Sequence, residues 1–223
     1  MISGITIGFL LSFDPSAVLL WFATQNMPSA SHHPSVIDLY FLRELQKGRV
    51  ADPYSISPIP NLHVNRFGVI PKKYKPGKWR LILDLSSPLG HSVNNRIPNK
   101  PFSSQCMKVD DVISRIMYYY QGTLMVKFNV ESPYHNVPVH SDDRYLLDMK
   151  WQGNYFIDLV LPFGLSSAPF IFSSISDLLG WILKHNYGVK FLLHYLDDFH
   201  PLGSPNSLVC QNNLDLCIQL FGD

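Results

Sequence analysis

Apolar residues recur along the chain in short runs separated by turns rich in proline and glycine, the pattern of many short elements joined by stiff connections. From Pro34 to Gly48 the spacing predicts a helix, with Val36, Leu39, Tyr40 and Leu45 on its apolar face, Lys47 in its last turn and Gly48 as its cap. A proline-rich connector, Asp52 to Pro60, follows. The runs Phe67–Ile70 and Trp79–Leu83 flank a tip of Lys, Pro and Gly, which predicts a β-hairpin with a cationic tip. Apolar positions 109, 112, 113, 116 and 117 follow the series of an amphipathic helix that runs to Tyr120 and closes at Gly122. Leu124–Val130 predicts a strand, and Tyr145–Trp151 with Tyr155–Leu161 a second hairpin about Gln152-Gly153-Asn154. A helix is predicted from Ala168-Pro169 to about Asn186. Phe191–Leu196 then reads as a buried strand, Asp197-Asp198 as its turn and Phe199–Leu202 as the return, before a last helix from about Pro205 to Asp223. No internal repeat interrupts this order.

Two apolar stretches near the start, Met1–Phe13 and Ala17–Ala23, change nothing in that picture. No basic residue precedes them, Asp14-Pro15 separates them, and neither reaches the roughly 18 residues that span a bilayer. Neither a signal peptide nor a membrane helix is expected, which leaves residues 1–30 as a packing arm or an irregular leader and places the protein inside the cell. The composition, 46% apolar and 16% charged, excludes disorder, collagen and coiled coil. The three cysteines, Cys106, Cys210 and Cys217, are odd in number and form no Cys-x-x-Cys pair. That argues against a disulfide scaffold, a disulfide-linked partner and a structural zinc site. The net charge of +1 conceals an asymmetry: residues 1–60 carry −1, residues 61–100 carry +7 and residues 101–223 carry −5. A basic block followed by an acidic one suits a polyanion on the first and a divalent cation on the second, although a fluctuating surface would look the same.

The sharpest chemical feature is Tyr195-Leu196-Asp197-Asp198, in which an apolar strand delivers two adjacent carboxylates to a turn. Like charges at such a place repel one another and are costly to desolvate unless a cation shares them. Asp-Asp is also an ordinary turn pair. Nucleotidyl transfer requires a further carboxylate on a neighbouring strand, and the candidate is Lys127-Phe128-Asn129-Val130-Glu131-Ser132-Pro133-Tyr134. No other metal-ligand motif accompanies the pair, which disfavours a different metal enzyme such as a phosphatase.

Read together, Lys78–Ser86, Phe128–Tyr134, Leu161–Pro169 and Tyr195–Asp198 resemble the ordered motifs of reverse transcriptases. They look most like those of retrotransposons, particularly the DIRS-like group of transposable elements, over roughly residues 28–223. The resemblance implies an α+β fold, the fingers and palm of a right-hand polymerase. Its antiparallel palm sheet would be backed by the helices at 109–120 and about 168–186, with the thumb absent. Residues 31–104 and 137–165 would be fingers-like, and 105–136 and 166–223 palm-like. By the same resemblance Asp197 and Asp198 are the catalytic, metal-binding pair for two Mg²⁺ ions. Arg80 with Lys72 or Lys73 grips the triphosphate of a dNTP, Tyr134 selects the sugar, and Phe163-Gly164 lies near nucleotide and template. The implied partners are dNTPs and an RNA or DNA template-primer. His194 and His200 are expected to be structural, as are Trp79, Phe128, Phe191 and Tyr195. Tyr118, Tyr119 and Tyr120 could stack on bases, although one helix face at that spacing more often packs on its own domain.

The chain departs from the family at Asn129, which stands where the first catalytic aspartate belongs. An amide offers one neutral oxygen and cannot bridge two ions as a carboxylate can. Glu131, two residues on and hence on the same strand face, is a weak substitute because the related pattern carries Glu there in addition to Asp. Pro133 and His135 replace the usual Ala and Arg beside Tyr134. A family enzyme also continues into a primer-gripping hairpin, a thumb and an RNase H domain with no counterpart in these residues. The expectation is an RNA-directed DNA polymerase impaired at Asn129, with a silent remnant that at most binds nucleic acid as the alternative.

Overall fold

Backbone pairing gathers the strands into two separate sheets. The computed structural model describes residues 2–14, 25–59, 62–98, 109–119, 122–190, 192–204 and 207–221. Cys106, Tyr120, Phe191, Pro205 and Asp223, which figure in the expectations above, lie outside the described residues. In chain order the elements are α1 (Ile2–Ile7), α2 (Pro28–His32), α3 (Pro34–Gln46), β1 (Val64–Pro71) and β2 (Trp79–Asp84). Then come α4 (Val109–Tyr119), β3 (Leu124–Met125), β4 (Phe128–Asn129), β5 (Asp148–Trp151) and β6 (Asn154–Ile157). The last are α5 (Ala168–His185), β7 (Leu192–Tyr195), β8 (Asp198–Gly203) and α6 (Val209–Phe221). The chain divides into one unit of Met1–Phe102 with Tyr134–Ala168 and a second of Ser103–Pro133 with Pro169–Asp223.

The first unit holds the sheet β2-β1-β5-β6. β1 and β2 form the antiparallel hairpin, registered from Arg66 opposite Asp84 to Pro71 opposite Trp79. Phe67 and Val69 face the core, with Leu83 opposite Phe67. β5 and β6 turn through Gln152 and Gly153 at φ 46° and 85°, a two-residue turn whose twist suits a hairpin. Their predicted length shrinks because Ser141–Leu147 coils into a 3₁₀ turn. On α3 the buried residues are Ile37, Phe41 and Glu44, and Phe41 stacks on Phe156 at 4.0 Å. Leu39, expected on the buried face, is exposed, because Ile37 and Phe41 define the stripe that meets β6. Near the start of the chain one residue is anchored in the core. Leu11 is fully buried, its N–H donates to Asp143 Oδ2 at 2.6 Å, and its carbonyl accepts from Ser167 Oγ at 2.9 Å.

The second unit is built on β8, which pairs antiparallel with β7 on one side and with β3 and β4 on the other. The single strand expected over 124–130 is broken between Met125 and Phe128. Val126 donates to the Pro201 carbonyl at 3.2 Å, and Pro201 has no N–H to return, so the ladder fails there. Behind the sheet, Phe199 and Leu192 pack with Leu183 of α5 and Cys217 of α6, flanked by Phe128, Val130 and Leu179. α6 thus joins α5 in backing this sheet. Ile113 and Met117, on the apolar stripe of α4, are exposed, while Asp111, Ser114, Arg115 and Tyr118 of that helix line a cleft with Leu193. Tyr118 is 65% exposed, which is not the packed arrangement more usual at that spacing.

Candidate functional site

In the second unit the carboxylates are delivered by the β7–β8 corner. The turn falls one residue earlier than expected: Leu196 and Asp197 form it, and Asp198 already opens β8 opposite Tyr195. Leu196 takes φ 51°, a conformation that costs a non-glycine residue about 1 kcal/mol or more. The buried Ser176 of α5 holds it there by donating to the Leu196 carbonyl at 2.7 Å. Val130 N–H donates to the Asp197 carbonyl at 3.1 Å, tying the corner to the neighbouring strand.

Side chains alternate across this sheet. One row is Phe128, Phe199 and His194, whose rings stack at 5.0 Å and 5.3 Å against the helices behind. His194 also meets Asp177 of α5 at 2.9 Å. The next row, on the opposite face, is Asn129, Asp198 and Tyr195. Here Asn129 Nδ2 donates to Asp198 Oδ1, and Lys127 Nζ donates to Asp198 Oδ2 at 2.7 Å. The Asp198 side chain is 28% exposed and that of Lys127 51%. Tyr195, expected to pack, is 49% exposed on this face. His200, one step along β8, has its pKa lowered by burial and by Lys127, against the pull of Asp198, so its imidazole is held neutral. Its Nδ1 has no hydrogen-bond partner among the described residues. Glu131 lies beyond β4, which ends at Asn129 before the chain turns through Ser132 at φ 50°, so the strand alternation behind the expected shared face does not extend to it.

A metal site can be tested on this donor set. Both Asp198 oxygens accept from N–H groups, and the amide of Asn129 turns its nitrogen, not its oxygen, toward the carboxylate. Among the described residues no three His, Cys, Asp or Glu side chains converge as metal ligands would. The arrangement does not fit two divalent ions.

In the first unit the expected residues fall into two groups. Lys72, Lys73 and Arg80 all lie on the β1–β2 hairpin and are exposed, and none forms an ion pair among the described residues. Lys72 N–H closes the tip on the Lys78 carbonyl at 2.8 Å, with Tyr74 and Gly77 at φ 62° and 74°. Arg66, lower on the hairpin, is by contrast bound to Asp84 at 2.7 Å. The second group is aromatic. Tyr134 opens a 3₁₀ turn to Asn136, and its ring lies 4.9 Å from that of Phe163.

Two supports of that second group were not foreseen. Asn94 Nδ2 donates to the Gly164 carbonyl at 2.7 Å and its Oδ1 accepts Ser166 N–H at 2.8 Å, fixing the Phe163-Gly164 turn. Gly164 sits at φ 95°, where a Cβ would stand 3.1 Å from the Leu83 carbonyl oxygen. Glu44 lies 3.4 Å from His135 and 3.8 Å from Arg49, whose other nitrogen donates to Asn136 at 2.8 Å. Burial alone would raise the Glu44 carboxyl, but its contact with His135 and the charge of Arg49 outweigh it and hold the pKa below the ordinary value.

The family model described as reverse transcriptase (RNA-dependent DNA polymerase) matches residues 70–219. No curated protein matches the chain. Among solved structures, the protease–reverse transcriptase of prototype foamy virus shares the fold with TM-score 0.68 and 18% identity, over 94% of this chain and 25% of that one. The foamy viral protease–reverse transcriptase in complex with an RNA/DNA hybrid gives TM-score 0.65 and 16% identity, over 94% of this chain and 24% of that one. The same protein in complex with double-stranded DNA gives 0.62 and 18%, over 92% and 37%. This chain thus spans from a quarter to a little over a third of the length of these structures.

Proposed function

The chain belongs to the reverse transcriptase (RNA-dependent DNA polymerase) family, and from that premise we propose that it supplies the fingers and palm of a DIRS-like retrotransposon enzyme. On this reading it engages nucleic acid, while its palm as written does not support two-metal transfer of dNTPs onto a primer. The observation that carries the second half is the occupation of both Asp198 oxygens by Asn129 and Lys127. Family enzymes use divalent metals, and two Mg²⁺ ions, when bound, would neutralise charge on the attacking and leaving oxygens. A full palm would need a carboxylate at Asn129 beside Asp197 and Asp198.

The first half rests on the hairpin. Lys72, Lys73 and Arg80 are exposed cations with no carboxylate partner among the described residues, and a guanidinium fork with flexible ammonium groups suits phosphate oxygens of a dNTP or a template-primer. Tyr134, resting against Phe163, is assigned the crowding of a 2′-hydroxyl, and Gly164 the close approach of a base or backbone. The RNA/DNA hybrid held by the foamy viral protein supports template-primer as the partner class.

Primer extension on an RNA template with Mg²⁺ tests this, run beside filter binding of the same template-primer. The expected outcome is binding that weakens linearly in log affinity with log salt, without extension, and extension by Asn129→Asp. Extension by the unmodified chain at the rate of the variant would refute the reading.

A further inference from the structure

We infer that Lys127 is a built-in counter-ion of the carboxylate corner, whose ammonium stands in for a divalent cation so that the β4–β8–β7 sheet is complete without one. The inference rests on the reading of Asp198 as a metal-type carboxylate, but concerns a different residue and a different property. A strand pair that carries Asp197 and Asp198 at adjacent positions holds two negative charges at one corner. Left alone, those charges would repel, and partial burial of Asp198 would make matters worse. In an active palm the remedy is a bound metal. Here it is covalently attached.

The geometry that permits this follows from the break in the strand. Because Pro201 cannot donate, the chain between Met125 and Phe128 leaves the regular ladder while keeping its register with β8. Lys127 falls in that gap, two positions before Asn129 and on the same side of the strand. Its Nζ reaches Asp198 Oδ2 at 2.7 Å, while Asn129 Nδ2 saturates Oδ1. The two interactions are complementary: the ammonium supplies the positive charge, and the amide supplies the second donor without adding a negative one. An aspartate at Asn129 would compete for the same ammonium and leave the corner with two uncompensated charges. Asn129 and Lys127 therefore form one solution to one problem, and the loss of the aspartate is matched by a residue already in place.

The test uses the whole chain and Mn²⁺ as the probe, read by thermal unfolding without nucleic acid or dNTP. The native chain is expected to unfold at the same temperature with and without millimolar Mn²⁺. Lys127→Met is expected to unfold roughly 2–4 °C lower in metal-free buffer, as removal of one partner of a half-buried pair would cause, and to recover when Mn²⁺ is added. Lys127→Arg, which keeps the cation, is expected to retain both the native midpoint and the indifference to Mn²⁺. Should Lys127→Met fail to fold, Asn129→Asp serves instead, with a Mn²⁺-dependent rise expected in its midpoint. The inference falls if Mn²⁺ raises the native midpoint as much as that of Lys127→Met. It falls equally if Lys127→Met keeps the native midpoint and ignores Mn²⁺. Under either result, primer extension by Asn129→Asp would still test the proposed function independently.

Discussion

At the tip of the β1–β2 hairpin, Lys72, Lys73 and Arg80 are exposed and unpaired by any described carboxylate, whereas at the β7–β8 corner Asp198 has a donor on each oxygen. Both regions concentrate charge of one sign, and a sequence plot would treat them as equivalent candidate sites. They differ in where the counter-charge comes from. Among the described residues the hairpin cations meet no carboxylate, whereas Asp198 meets the ammonium of Lys127. Concentrated charge marks a ligand site only when the protein itself does not neutralise it.

The strongest way to break this contrast is to overload the corner. Asn129→Asp adds a third carboxylate that the single ammonium of Lys127 cannot offset, and primer extension with Mg²⁺ is expected to rise by roughly two to four decades over the native chain. A second test asks whether the first unit depends on charge in its core rather than at its tip. Asp148 and Asp158 are buried, and burial pushes both carboxyls up to about 8. Neither Asp148 oxygen has a hydrogen-bond partner among the described residues. An acid whose folded pKa is raised is kept protonated by the fold and released on unfolding, so the folded state loses stability as pH climbs from about 4, the unfolded value, to about 8. Urea unfolding across that window is expected to show this decline, and Asp148→Asn to lessen it while the share of Asp158 remains.

The hairpin is sharpened by removing its cations together. Lys72→Ala/Lys73→Ala/Arg80→Ala is expected to weaken template-primer binding by a few tens of fold near physiological salt. The slope of log affinity on log salt should fall by about 0.9 for each duplex phosphate that is no longer neutralised. A competition series at several salt concentrations reads both. The smallest effect belongs to the support of the corner: Ser176→Ala unties the Leu196 carbonyl, expected to cost about 1 kcal/mol of stability by denaturant titration.

The elements that the sequence predicts well are those set by local pattern. The β1–β2 hairpin, α3, α4 and α5 form within a few residues of their expected bounds, because periodicity and turn chemistry act over short distances. Long-range partners decided the rest. The strand at 124–130 breaks because of Pro201, which lies on the strand opposite, so no reading of residues 124–130 alone could find the break. The face of α3 is set by Ile37 and Phe41 meeting Phe156, which leaves Leu39 outside despite its apolar side chain. The site divides in the same way. The departure at Asn129 and the carboxylate pair are legible in the motifs. Lys127, Asn94 and Ser176 act on partners 71, 70 and 20 residues away, and for Asn94 and Ser176 nothing in the neighbouring residues signals the role. Lys127 could have been suspected from its spacing alone, since it stands two residues before Asn129 on an alternating strand.

If Lys127 and Asn129 together close the corner to divalent cations, the most direct measurement is a titration of Mn²⁺ into the native chain, with free ion followed by electron paramagnetic resonance. The native chain is expected to leave the free-ion signal undiminished, and Asn129→Asp to take it up. Uptake by the native chain as tight as by Asn129→Asp, and abolished by Asp197→Asn/Asp198→Asn, would contradict the closed corner.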